Sequence, residues 1–265
     1  MQVRLVQVDA FTERPLAGNP AAVMILPRWV PDPVLAAVAA ENNLSETAFL
    51  VREPAGWRLR WFTPTVEVEL CGHATLAAGS VVLADEPGPD VVFHTASGPL
   101  VVRRAGRRYS LRLPALAPRP AEVPAALIEA LGHTPEEVLG IKAVHRATYW
   151  LARYRSEEDV AALDPDVRRL GRELRSNVVC TAPGASVDFV SRFFAPGSGV
   201  DEDPVTGSAH ATLTPYWRER LGKNPLVARQ ISRRGGDLEC EQVGEDVWLT
   251  GGCATYLEGT ATVPD

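Results

Sequence analysis

The sequence predicts a mixed α/β (α+β) chain folded as two similar halves, and three observations carry this expectation. Short runs of alternating apolar residues, bounded by glycine, proline and asparagine, recur along the chain and read as strands. One stretch, ATLAAGSVVLA at 74–84, carries no charge and only Thr75 and Ser80 as polar side chains, so as a helix it must be covered on every side. Finally, Phe62-Thr63-Pro64 followed by Cys71-Gly72-His73-Ala74 is matched in order, with a similar gap, by Phe194-Ala195-Pro196 followed by Thr206-Gly207-Ser208-Ala209. That faint internal repeat points to two like units facing one cleft. A chain of 265 residues is long enough for two medium domains with real cores.

Taken in order, residues 2–9 alternate as a strand, and Pro15, Gly18, Asn19 and Pro20 force a loop before a second strand at 21–25. Asp32 before Pro33 suits an N-cap and first-turn proline, opening a short surface helix that stops at Asn42-Asn43. Strands are expected at 47–51 and 59–62, with Pro54, Ala55 and Gly56 as the turn between them. The buried helix follows Cys71-Gly72-His73. Strands at 91–93, 100–103 and 109–113 then close the first unit, and the Pro- and Ala-rich stretch 114–121 reads as the linker out of it.

The second unit opens with a helix from about Pro124 to Leu131, stopped by Gly132, and a strand near Val144 to Ala152. Ser156 with Asp159 resembles a capping box for a helix carrying Val160 and Leu163. Strands at 178–181 and 187–194 lead into GSGVDEDPVTGSAHATLTPYW, an acidic, Gly-rich loop running into a helix at Ser208 that Pro215 should kink or break.

Asp and Glu outnumber Lys and Arg by 33 to 27, a net charge of −6. This argues against a nucleic-acid binder, which concentrates basic residues to neutralise phosphates. The one basic cluster, Arg103, Arg104, Arg107 and Arg108, reads as a solvated hairpin turn. Trp61, Phe62, Phe189, Phe193 and Phe194 accompany acidic loops and read as sheet core, not a base-stacking platform. Cys71, Cys180, Cys240 and Cys253 form no short-spaced frame, and the strand-like start leaves no room for a signal peptide, so a cytoplasmic protein is expected. No apolar run reaches the roughly 18 residues of a membrane span.

Each helix start in the repeat presents N–H groups and a partial positive charge just after glycine. Gly72-His73 and Gly207-Ser208 could therefore hold a carboxylate, or the glycines could serve only close helix packing. Glu46, opening an apolar strand in NLSETAF, is either a solvent-facing strand end or a partly desolvated carboxylate able to take and return a proton. Asp203, immobilised before Pro204, is a positioned acid or base, or part of a structural turn. Cys71 and His73 form a Cys-x-His pair, which needs at least one more ligand with plausible geometry, and no companion cluster appears, so no metal site is expected. Nucleotide cofactors and serine-hydrolase chemistry find no supporting motif. His94, His133 and His145 lie outside these motifs and receive no role.

VDAFTERPLAGNPAAV at 8–23, NLSETAFL at 43–50, LRWFTPTVEVELCGHATLAAG at 59–79 and FVSRFFAPGSGVDEDPVTGSAHATLTPYW at 189–217 resemble, in order, the phenazine-biosynthesis PhzF-like family, which shares its fold with diaminopimelate epimerase. The resemblance implies two pseudo-symmetric domains, each a curved, mostly antiparallel sheet around a central helix. The first would be 1–116, completed by 254–265, and the second 117–253, with the active site between them. It implies a cofactor-independent isomerase in which Glu46 does acid/base work and His73 and Asp203 line the pocket. Gly72, His73, Gly207 and Ser208 would then bind the carboxylate of a small substrate. Cys71, Asn19 and Ser45 stand in the same motifs as secondary candidates, and a homodimer is implied. The epimerase branch uses a cysteine before each central helix. Here Thr206 occupies the second place, and a threonine hydroxyl is a poor proton carrier there.

Overall fold

The computed structural model describes residues 1–86, 88–141 and 148–264. His145 and the first part of the strand expected from Val144 lie outside these residues. The chain forms two compact units, Met1–Leu113 with Trp248–Asp265, and Pro114–Val247.

In the first unit, β1 (Gln2–Ala10) and β2 (Asn19–Leu26) pair antiparallel. Helix α1 (Asp32–Asn42) then crosses to β3 (Glu46–Glu53), which lies parallel to β2. Pro31, not Asp32, is the N-cap of α1, because the Asp32 carboxylate accepts from Arg60 instead. The helix ends as the sequence indicated, with Asn43 in the left-handed region at φ 48°. Antiparallel β4 (Gly56–Phe62) and the short β5 (Glu67–Val68) lead to helix α2 (Gly72–Asp85). Next come β6 (Asp90–Thr95), parallel to β4, and the antiparallel β7 (Gly98–Ala105) and β8 (Arg108–Pro114).

Every residue of α2 from His73 to Leu83 is buried, as its lack of charged side chains requires. Strands β1, β2, β3, β6 and β7 all pack on this helix. Gly79 is needed for the closest of these approaches, since a Cβ there would lie 2.5 Å from Val102 Cγ1.

The second unit begins with α3 (Ala125–Leu131), closed by Gly132 at φ 74°. Strand β9 (Glu137–Ile141) is antiparallel to β10 (Thr148–Arg153). Helix α4 (Glu157–Ala161) carries the expected Ser156–Asp159 capping box and leads to β11 (Ser176–Pro183), parallel to β10. Leu163 is buried just beyond that helix. Antiparallel β12 (Phe189–Ala195) and β13 (Val200–Asp203) precede helix α5 (Gly207–Leu221). Part of the acidic segment read as loop is therefore an edge strand. Strands β14 (Leu226–Gln230), parallel to β12, and β15 (Gly236–Val243) complete the unit.

Helix α5 continues through Pro215 to Leu221. The missing proline N–H frees the Ala211 carbonyl, and that carbonyl accepts the Leu116 N–H at 3.1 Å, so the helix runs on without an orphaned acceptor.

Strand β16 (Asp246–Gly251) carries the chain from one unit to the other, and β17 (Cys253–Thr262) pairs antiparallel with β1 and also packs on α2. The two units thus repeat one order of pairings: antiparallel, parallel across a short helix, antiparallel, antiparallel to an edge strand, then a buried helix and a parallel strand. The aromatic residues read as core are buried in both. No helix is long and apolar enough to cross a membrane among the described residues.

Candidate active site

The first unit gathers four of the sequence-marked residues around His73. Cys71 is the extended N-cap of α2 (φ −142°, ψ 110°) and makes no side-chain capping bond, leaving Gly72 and His73 at a helix start with its partial positive charge. His73 is buried. Its Nε2 lies 3.1 Å from Glu46 Oε2, yet neither atom has a hydrogen-bond partner, so the contact lies off the line of a good hydrogen bond. Each is a buried polar atom with capacity left for a ligand. On the opposite edge of the ring, Nδ1 lies 3.1 Å from Asn19 Nδ2 and 3.6 Å from Cys71 Sγ.

Local sequence explains why these groups meet. Glu46 opens β3 directly opposite Ala21 of β2, so the parallel pairing brings the NLSET motif beside the GNP motif. Asn19 is held by a tight loop in which Phe11 and Leu16 both take positive φ, 61° and 69°. The buried Asp9 carboxylate accepts the Leu16 N–H at 2.8 Å. Gly18, at φ +64°, is required because a Cβ would lie 2.2 Å from the Ala10 carbonyl oxygen. Asp9 was not marked as a site residue in the sequence, although a lone acid between Val8 and Ala10 in an apolar strand was the available signal. Ser45, on the bend before β3, is half-buried.

Charge in this group is uneven. Burial works against the His73 imidazolium, but the neighbouring sulfur and the Glu46 carboxylate outweigh it and hold the ring well above its ordinary pKa. Burial, reinforced by Glu46, pushes the Cys71 thiol up to about 11, so at neutral pH the sulfur is an uncharged thiol. Glu46 is then the charge that supports the imidazolium.

Glu46 brings a third ligand-type atom to Cys71 and His73, all three lying within 4.8 Å. The arrangement suits a proton relay better than a metal cage. Glu46 approaches one ring nitrogen and Cys71 the other, whereas a single ion bonds one nitrogen of an imidazole.

The second unit builds a different group on the matching framework. Thr206 is the extended N-cap of α5 (φ −117°, ψ 112°), again without a side-chain capping bond, followed by the buried Gly207 and half-buried Ser208. The Thr206 hydroxyl donates to Asp203 Oδ2. Gln230, unmarked in the sequence, ties the group together: its Nε2 donates to the Asp203 carbonyl at 2.6 Å, and its Oε1 accepts the Thr206 N–H at 3.0 Å. His210 Nδ1 donates to the Thr206 carbonyl at 2.8 Å. Burial lowers this imidazole to about pH 4, so it is neutral. Thr75 makes the equivalent bond in the first unit, from its hydroxyl to the Cys71 carbonyl.

The family model for phenazine biosynthesis-like proteins matches residues 8–262. An uncharacterized isomerase of Pseudomonas aeruginosa is 49% identical over 98% of both chains. The crystal structure of a phenazine biosynthesis PhzF-family protein from Enterococcus faecalis has a TM-score of 0.90 at 41% identity, covering 99% of this chain and 100% of that one. A hydroxyproline epimerase from Agrobacterium vitis, with a TM-score of 0.61 at 14% identity over 98% of this chain and 92% of that one, shares the fold.

Proposed function

The chain belongs to the phenazine biosynthesis-like protein family, and from that premise we propose that it is an isomerase using Glu46 to move a proton on a small carboxylate-bearing metabolite, without a cofactor. The carrying observation is the contact between half-buried Glu46 and buried His73, 3.1 Å apart, with neither facing atom engaged in a hydrogen bond. The isomerase name of the 49% identical relative supports the reaction class.

In this reading the N–H groups of Gly72 and His73 hold the substrate carboxylate against the helix dipole. Glu46 takes a proton from an activated carbon and returns it elsewhere in the conjugated system. The His73 imidazolium faces Glu46 and stabilises negative charge as it develops. In the second unit Asp203, oriented by Thr206 and Gln230, is the candidate to hydrogen-bond polar groups, and Gly207 and Ser208 present the matching helix start.

A symmetric two-thiol racemisation fits poorly. Cys71 is an uncharged thiol at neutral pH, and its counterpart Thr206 carries a hydroxyl already committed to Asp203. The direct test is incubation with a panel of unsaturated and hydroxylated amino and cyclic acids in deuterated water. Label should enter one compound, at a rate cut by Glu46→Gln and by Asp203→Asn. Binding of a panel member with no exchange would instead make this a carboxylate-binding protein without turnover.

A further inference from the structure

Asn19 holds a place that the proton-transfer chemistry above does not use. It is fully buried and opens β2 immediately after the strained Gly18 turn. Its side-chain amide lies 3.1 Å from His73 Nδ1. A neutral imidazole donates from one nitrogen and accepts at the other, so the partner at one edge decides what the other edge offers. An amide N–H at Nδ1 requires the lone pair there and places the ring proton on Nε2, the edge facing Glu46. Turned over, the same amide offers its oxygen to an Nδ1–H, so one side chain serves both the neutral and the charged ring. Cys71, the other neighbour at Nδ1, is 3.6 Å away and a weak partner.

We propose that Asn19 is a positioning residue that fixes His73 with a proton on Nε2 toward Glu46, and that the Asp9–Leu16 bond and Gly18 exist in this loop to hold it there. The proposal rests on the reading of Glu46 and His73 as the proton-transfer pair. The groups facing the ring among the described residues are Glu46 from β3, Cys71 at the start of its own helix and Asn19 from β2.

The test reads the ring directly. Long-range proton–nitrogen NMR of the nitrogen-15-labelled protein, with His73 assigned by its loss in His73→Gln, reports which nitrogen carries the proton across a pH titration. Wild type should show Nε2 protonated wherever the ring is neutral. Asn19→Ala should redistribute the proton between both nitrogens. The near-isosteric Asn19→Asp places a carboxylate at Nδ1 and should raise the protonation midpoint by about 1 to 3 pH units. A His73 spectrum and midpoint unchanged in folded Asn19→Asp would overturn the proposal, whether or not the alanine variant folds. Because this readout needs no substrate, it is separable from the exchange assay: loss of the Glu46→Gln effect there would remove the catalytic reading while leaving the ring orientation to stand or fall by NMR.

Discussion

Replacing Glu46 by glutamine keeps the size of the side chain and removes its charge, which reverses the way stability depends on pH. At 3.1 Å two opposite charges attract by on the order of 5 kcal/mol at an effective dielectric constant of about 20. Burial of the pair takes back a large part of that attraction. The His73 pKa is raised in the folded wild type. Its contribution is therefore fully present below the unfolded value of about 6.5 and is lost as pH climbs through the higher folded midpoint. In Glu46→Gln the ring is buried with no counter-charge, its midpoint falls, and acidification below about 6.5 costs stability. Urea unfolding of both proteins at pH 5.5, 7 and 9 measures this. The gap between wild type and variant should be widest at pH 5.5 and shrink toward pH 9. In parallel, turnover on a confirmed substrate should fall about 10²- to 10⁴-fold. A stability gap independent of pH would refute the argued charge pairing, and undiminished turnover would refute the role of Glu46.

Four further outcomes are expected. Cys71, a buried thiol pushed up to about 11, should resist iodoacetamide in the native protein at pH 7.5, and Cys71→Ser should keep turnover near wild type, as peptide mapping and the exchange assay would show. Gly18→Ala sets a Cβ 2.2 Å from the Ala10 oxygen at φ +64°; a loss of about 1–3 kcal/mol should appear as a lower Tm, together with reduced turnover as Asn19 shifts. His210, lowered to about 4 in the folded state, makes the unfolded chain bind more protons between pH 6.5 and 4, so stability should fall across that window by about 3 kcal/mol; His210→Gln should flatten that slope in urea titrations. Thr206→Ser should preserve the bonds to Asp203 and Gln230 and stay near wild type, whereas Thr206→Cys should lose turnover without gaining exchange at the α-carbon of any amino acid in the deuterium panel.

Much of this arrangement was legible in the sequence because its cause is local. An uncharged helix reveals its own burial, and Gly72 and Gly207 mark two helix starts without any tertiary knowledge. What stayed hidden depends on register. Glu46 lies 27 positions from His73, and only the parallel pairing of Ala21 with Glu46 brings it to the ring that Asn19 touches. Gln230 sits in LVARQ, where alternating burial gives a strand pattern but no hint that its amide ties Asp203 to Thr206. Asp32 failed as a cap for a related reason: a short carboxylate suits a helix start equally well as it suits Arg60, and only the fold brings Arg60 within 2.9 Å. At Pro215 the helix does not break, since the acceptor that the proline frees finds a donor from the linker.

The internal repeat separates what the fold demands from what the chemistry demands. Both helix starts keep an extended, uncapped residue, then glycine, and both have the N-cap carbonyl bonded by a side chain four residues on, Thr75 in one unit and His210 in the other. A device repeated in that detail serves something both units need, and presenting free N–H groups to negative charge is what such a start can do. The titratable groups are not repeated. Cys71 and His73 answer to Thr206 and Ser208, and β11 opens on Ser176 where β3 opens on Glu46. The buried histidine of the second unit is held neutral with Nδ1 committed to the backbone, so it offers no substitute. The first unit sets a carboxylate against an imidazole, whereas the second ties its Asp203 carboxylate to the Thr206 hydroxyl. That difference disfavours a mechanism needing two matched acid/base groups and accords with the proposed shuttling of a proton by Glu46.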